Sequence, residues 1–156
     1  MRDDAPVSDE FRAEYHAQWG DMDFNQHMAN SRFLDYASDA RMLFLESVGL
    51  TMDALTALRI GPVTLEDHLT YKREIRMLET FTVDYQATAS TADGRRFKLR
   101  NRFTSAAQGL CATVDSIGLW FDLVARRPII PPDDLQEAFQ QLTRSDDYEE
   151  WESPPR

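Results

Sequence analysis

The stretch "WGDMDFNQHMANSRF", Trp19 to Phe33, sets Asp21, Asp23, Asn25, His27 and Asn30 within ten residues, just ahead of a long apolar helical pattern. A carboxylate beside a helix start sits where backbone N–H groups point outward and positive potential collects. That arrangement suits attack on a carbonyl, with the carboxylate as base or nucleophile and an amide N–H holding the developing oxyanion. An aspartate, with an ordinary pKa of about 3.9, is ionised for this role at neutral pH without special tuning. The competing structural reading has Asp21 and Asp23 shaping the turn and Asn30 capping the helix. His27 reads more readily as a hydrogen-bonded scaffold residue than as a base. With His16, His68 and scattered carboxylates it does not make a convincing ligand set, so no metal is expected.

A second candidate is basic. Arg95, Arg96, Lys98, Arg100 and Arg102 gather five of the chain's 17 basic residues into eight positions. They are either a solvated strand face paired with acids such as Asp84 across a sheet, or a landing strip for a phosphate-bearing small molecule. Arg126 and Arg127 could add to it. The chain's net charge of −10 argues against nucleic acid and toward one local anionic ligand.

The elements that must position these groups follow from periodicity. "FRAEYHAQWG" alternates as a first strand ending near Gly20. From about Ser31 the step becomes helical, with Phe33, Ala37, Ala40, Phe44 and Val48 on one stripe, widened by Leu34, Leu43 and Leu45. So apolar a helix should be enveloped, capped by Asn30 or Ser31 and stopped at Gly49. Four strand-like segments follow: "IGPVTLEDHLTYK", "TFTVDYQATAS", "RRFKLRNRF" and "LCATVDSIGLWFDLVARRP". Between the second and third, "ADGR" signals a hairpin. Keeping the apolar face buried selects a three-residue loop, Ala92-Asp93-Gly94 with Gly94 left-handed, pairing Ala89 with Phe97 and Ala87 with Leu99. Gly118 reads as a possible bulge. "PPDDLQEAFQQL" starts a short helix near Pro132.

The expectation is an α+β fold, an antiparallel five-stranded sheet wrapped around a long central helix. Residues 1–9 read as a flexible arm, 10–145 as one domain and 146–156 as an acidic, loosely attached tail. No run approaches about 18 apolar residues, so no membrane span is expected. The first residues lack the apolar core of a signal peptide, and the single cysteine, Cys111, leaves no internal disulfide. A cytoplasmic protein is the default.

The motif residues Trp19-Gly20, Asp21-Met22-Asp23, His27-Met28-Ala29-Asn30 and Ala40-Arg41 resemble the 4-hydroxybenzoyl-CoA thioesterase-like branch of the hotdog fold over about residues 10–125. The resemblance implies hydrolysis of an acyl-CoA thioester without a cofactor, in a homodimer or homotetramer with active sites at the subunit interface. It assigns Asp23 as the catalytic carboxylate and the backbone N–H of Asn30 as the oxyanion donor. It also gives Arg96, Lys98, Arg100 and Arg102 a role in binding CoA phosphates. The chain departs from the pattern at Ala29, where an asparagine is usual, at Asn25 and Gln26, which replace small residues, and at Ser38, where an acid is common. Two alternatives stay open: a hotdog protein that binds acyl groups or CoA without turnover, and a hotdog enoyl-CoA hydratase. The hydratase motif needs Asp and His five apart, whereas His27 lies four from Asp23.

Overall fold

The computed structural model describes residues 10–153. In chain order the elements are β1 (Arg12–His16), a 3-10 turn (Trp19–Asp21), α1 (Asn30–Ser47), α2 (Met52–Leu58), β2 (Ile60–Tyr71), β3 (Thr80–Asp84), β4 (Gln86–Thr91), β5 (Arg96–Ser105), β6 (Gly109–Asp122), β7 (Arg127–Pro128), α3 (Asp133–Gln140) and β8 (Arg144–Trp151). The expected arm, residues 1–9, lies outside the described residues. Among the described residues no helix is long and apolar enough to cross a membrane.

The eight strands fill five lanes of one curled sheet. β2 forms one edge and pairs with β6, which pairs with β5. β3 and β4 run end to end along the other side of β5, and beside them lie β1, antiparallel to β3, and β8, parallel to β4. The α+β plan of a sheet around one long helix is therefore as expected. The acidic tail is not: Arg144–Trp151 completes the lane next to β4. Its charge does not prevent pairing: Asp147 meets Arg100 at 3.3 Å, and the neutral Trp151 ring lies under Arg96 at 5.4 Å.

α1 packs one face on the sheet. Phe33, Ala37, Ala40, Phe44 and Leu45 are buried, at helical spacing. Ala37 and Ala40 are fully buried, and their small side chains let the backbone approach the strands closely. Phe33 stacks edge-on against Phe103, while Phe44 meets Tyr85 and Phe139. Each buried aromatic of this kind contributes about 1.5–3 kcal/mol relative to an exposed one. The helix is less enveloped than its composition suggests, since Leu43 stays 44% exposed. Gly49 has φ +83°, the left-handed stop expected there, but the N-cap is Ala29, which makes no side-chain cap bond. Neither Asn30 nor Ser31 caps: the Arg32 N–H turns back to the Ala29 carbonyl at 3.0 Å, and the Asn30 and Ser31 amides take no side-chain cap.

The hairpin departs from the expected three-residue loop, since four residues, 92–95, connect β4 to β5, and its pairing falls into two registers. Gln86 faces Arg100 and Ala87 faces Leu99, as burial required. A bulge at Thr88 then shifts Ala89 opposite Lys98 and Ser90 opposite Phe97. Gly94 is left-handed, at φ +73°. The polar side of β3–β4 is also buried at Asp84, Gln86 and Thr88, where Arg102, Glu10 and β8 cover it. Gly118 is not a bulge. The irregularity lies opposite it, at Leu65 of β2, and Gly118 is needed because a Cβ there would sit 2.7 Å from the Phe97 ring and 2.9 Å from the Val63 carbonyl.

Candidate active site

The loop between β1 and α1 is held in a compact turn that treats its two aspartates differently. Asp21 is occupied: its Oδ2 accepts the Gln18 amide at 2.8 Å and the Tyr36 hydroxyl at 2.5 Å, and Arg32 lies 3.9 Å from Oδ1. Its carbonyl takes the Ala29 N–H at 2.8 Å, which draws the start of α1 against the loop. Burial, followed by the contact with Asp21, pushes the Tyr36 hydroxyl well above the ordinary tyrosine value, so it stays a donor. Asp21 thus shapes the turn.

Asp23 opens the tight turn that follows. Its N–H donates to the His27 carbonyl at 3.0 Å, its carbonyl accepts from Gln26, and Gln26 takes the left-handed conformation at φ +67°. The Asp23 carboxylate accepts one backbone bond, from the Asn25 N–H at 2.9 Å to Oδ1. Its Oδ2 lies 3.7 Å from His27 Nδ1, too far for a hydrogen bond. The side chain is 26% exposed and faces a cleft of about 370 Å³.

That cleft is completed by a segment distant in sequence. Met28 donates to the Ile75 carbonyl at 2.8 Å, and His27 bridges Arg76, which brings Tyr71–Glu74 alongside the loop. The far side of this segment is anchored too. Lys72 and Arg73 donate their amides to the Cys111 carbonyl, Arg73 reaches the Gln108 carbonyl, and Glu79 accepts from Ser105 and Gln108. Asp23, His27, Asn30, Phe33, Tyr71, Lys72, Arg73 and Glu74 line the opening. The Tyr71 hydroxyl donates to the Asn30 carbonyl at 3.0 Å, fixing the first residue of α1. As the first helical residue, Asn30 has an N–H with no acceptor inside the helix.

A carboxylate with a free oxygen, a free amide at a helix start and an open cleft between them can act on a carbonyl. The structure thus brings Asp23 and Asn30 together as the motif anticipated. His27 also lines the cleft: its Nε2 lies 3.9 Å from Glu74 Oε2, so the ring sits between two carboxylates. Tyr71, Lys72, Arg73 and Glu74 were missed from sequence. The abrupt change from strand to "YKRE" is the one local signal that marks them.

The β5 cations lie elsewhere; none of the four lines this cleft. Arg100 pairs with Asp115 at 2.7 Å and with Asp147, and Arg102 is held against Asp84 and, at 3.5 Å, Glu10. Burial, only partly offset by Arg102, holds the Asp84 carboxyl above its ordinary range. Most of that stripe is bound into the structural ion pairs that its alternative reading described. Among the described residues no group of three or more potential ligands could hold a metal ion.

Residues 17–139 match the model of the thioesterase-like superfamily. A bifunctional L-carnitine dehydrogenase/betainyl-CoA thioesterase of Agrobacterium fabrum is 26% identical over 134 residues, 86% of this chain. The chain spans only 27% of that relative's length. A Staphylococcus aureus protein solved in complex with CoA superimposes with a TM-score of 0.79 at 22% identity, covering 87% of each chain. The 1,4-dihydroxy-2-naphthoyl-CoA thioesterase of Synechocystis does so with a TM-score of 0.75 at 16% identity, over 84% of this chain and 96% of its own. These structures share the curled sheet around a helix. With the match covering the loop, the central helix and the sheet, this chain belongs to the thioesterase-like superfamily and has the hotdog fold.

Proposed function

We propose that the protein hydrolyses acyl-CoA thioesters in the cytoplasm, with Asp23 as the reacting carboxylate and the Asn30 N–H as oxyanion donor. The observation that carries this reading is the placement of the aspartates: Asp23 lines the cleft together with Asn30 and keeps Oδ2 without a hydrogen bond, whereas Asp21 lies outside the cleft with its Oδ2 held by Gln18 and Tyr36. The thioester carbonyl oxygen is set at the N-terminus of α1, where the helix dipole stabilises developing negative charge. Asp23 takes a proton from water as the water oxygen bonds to the carbonyl carbon, or attacks that carbon itself to give an anhydride that water then opens. In either route the tetrahedral centre collapses by breaking the C–S bond. The electron pair leaves on the CoA sulfur, which is protonated, and the acid is released.

His27, between Asp23 and Glu74, forms a wall of the cleft beside the reacting carboxylate. Lys72 and Arg73 bring positive charge to the cleft, and we assign CoA phosphate contacts to Lys72 first, since the Arg73 guanidinium also holds the Gln108 carbonyl, in preference to Arg96, Lys98, Arg100 and Arg102, none of which lines the cleft. The CoA complex of the S. aureus neighbour and the CoA thioesterase names of the relatives support a CoA-borne substrate. The twelve-residue β2 lies at the sheet edge and supports a homodimer formed by edge pairing, with tetramers built from it.

The test is release of free CoA thiol from a panel of short, long, aromatic and betainyl acyl-CoAs, with light scattering to count subunits. Turnover of at least one class, lost in Asp23→Ala, is expected. Absence of turnover across the panel with retained CoA binding would establish the binding-protein alternative instead.

A further inference from the structure

A second chamber, of about 190 Å³, opens between α1 and the β2–β6 edge of the sheet, walled in part by Ser38, Arg41, Leu45, Val63, Ser116 and Phe139. Its surround is mainly apolar, which makes Arg41 conspicuous. The guanidinium is half-buried and held by neutral acceptors: Nε donates to Asn101 Oδ1 at 2.9 Å and Nη2 to Ser116 Oγ at 2.5 Å. The nearest anion in this network is Asp67, which takes the Ser116 hydroxyl at 2.5 Å and so stands one group removed. Among the described residues Arg41 makes no direct ion pair, and the carboxylate of its network, Asp67, is reached only through the Ser116 hydroxyl. Nη1 makes no hydrogen bond among the described residues, so one edge of the guanidinium is left for a ligand.

The chamber and the Asp23 cleft share two walls. Asn30 and Phe33 of α1 face the cleft, while Ser38, Arg41 and Leu45 continue that side of the helix at steps of three to five residues. β2 runs along both, with Tyr71 at the cleft and Pro62–Thr64 at the chamber. From Asn30 to Arg41 is eleven residues, about 16 Å along the helix axis. An acyl chain whose thioester sits at Asn30 and which follows this seam delivers its far end to Arg41.

We propose that the chamber receives the distal end of the acyl group and that Arg41 selects long acyl chains ending in a carboxylate, the half-thioesters of α,ω-dicarboxylic acids. An anion is the ligand that an unpaired guanidinium in an apolar surround discriminates best, because a charge-assisted hydrogen bond is strong there and a methyl end leaves the cation unsatisfied. This substrate class rests on the thioesterase reading of the Asp23 cleft.

The experiment compares acyl-CoAs of equal length ending in methyl or carboxylate, from short to long, with the purified protein. For long chains, kcat/KM is expected to favour the carboxylate end by roughly ten- to hundredfold, the worth of a hydrogen bond to a charged group. Short diacyl chains, which cannot reach Arg41, are expected to show no such preference. In Arg41→Met the ratio falls to near one. Asp67→Asn removes the only anion in the network and raises the ratio.

Calorimetric binding of the long-chain diacid monomethyl ester, which has one free carboxylate, and of the dimethyl ester, which has none, to wild-type protein needs neither turnover nor a variant that folds. The half-ester is expected to bind more tightly by a similar factor. Equal binding of the two esters, equal turnover of the two long thioesters, or a preference that survives in Arg41→Met overturns the proposal. If no thioester of either kind is cleaved, the thioesterase reading fails, and the two esters still decide the role of the chamber.

Discussion

Replacing Arg102 with methionine separates the two roles that the β5 cations could have. Asp84 is only 5% exposed, and Arg102 supplies its donors: the backbone N–H at 2.9 Å to Oδ1 and Nε at 2.6 Å to Oδ2, with Nη2 also against Oδ2. Methionine keeps much of the side-chain volume and the backbone bond but removes the charge. Breaking a buried pair from one side costs about 3–5 kcal/mol. Because the Arg102 side chain is 35% exposed, water reaches the vacated position, and the cost falls to about 2–3 kcal/mol. For a domain of this size that is a Tm lower by roughly 4–12 °C.

The loss depends on pH in a defined direction. Burial raises the folded-state pKa of Asp84, with Glu10 adding to the shift against the opposing effect of Arg102. A raised carboxyl favours folding fully below its unfolded value of about 3.9, and that contribution is lost as pH rises through the folded value. Without Arg102 the folded value climbs further, so the deficit is largest at neutral pH and shrinks in acid. Thermal unfolding by circular dichroism at neutral pH and in mild acid measures it, with the KM for an acyl-CoA determined alongside. Asp84→Asn in the same chain should recover part of the loss. An unchanged Tm with a KM raised tenfold would refute the reasoning and restore Arg102 as a CoA contact.

Three further substitutions probe the surroundings of the site. Asp21→Asn weakens the bonds from Gln18 and Tyr36 and is expected to cost about 1–2 kcal/mol in urea unfolding, with a much smaller loss of kcat/KM than any change at Asp23. Gly118→Ala forces a Cβ within 2.9 Å of the Val63 carbonyl, which cannot rotate away, and is expected to cost about 1–3 kcal/mol by denaturant midpoint. Burial alone would raise the Glu79 carboxyl, but the Arg76 amide, Ser105 and Gln108 together hold it below its ordinary value. Its contribution is therefore present above the unfolded value and lost as pH falls through the folded one. The Tm gap between wild type and Glu79→Gln should close on acidification.

Local signals were enough for the central helix, the Gly49 stop and the alternation of β5, because each depends on residues a few positions apart. The stretch holding Asp23 and Asn30 stood out for the same reason, as both lie in one loop leading into one helix, but the choice of Asp23 over Asp21 came from the family resemblance. Tyr71–Glu74 were not, because their place in the cleft depends on the Met28–Ile75 and His27–Arg76 pairings, which join segments almost fifty residues apart. The acidic end looked detached because composition reports charge and not partners; its strand depends on Arg96 and Arg100 in β5. The hairpin register was half legible, since burial set the pairing of Ala87 with Leu99 but nothing local announced the bulge at Thr88.

The central claim rests on the free oxygen of Asp23, and Asp23→Asn tests it with little else disturbed. Asparagine keeps an acceptor for the Asn25 N–H and so preserves the turn, while it can neither take a proton from water nor attack the carbonyl. The measurement is kcat/KM for the best acyl-CoA substrate in wild-type and Asp23→Asn protein of matched thermal stability. A fall of roughly a hundredfold or more is expected, the usual contribution of a positioned base. Undiminished hydrolysis in the variant would contradict the assignment of Asp23.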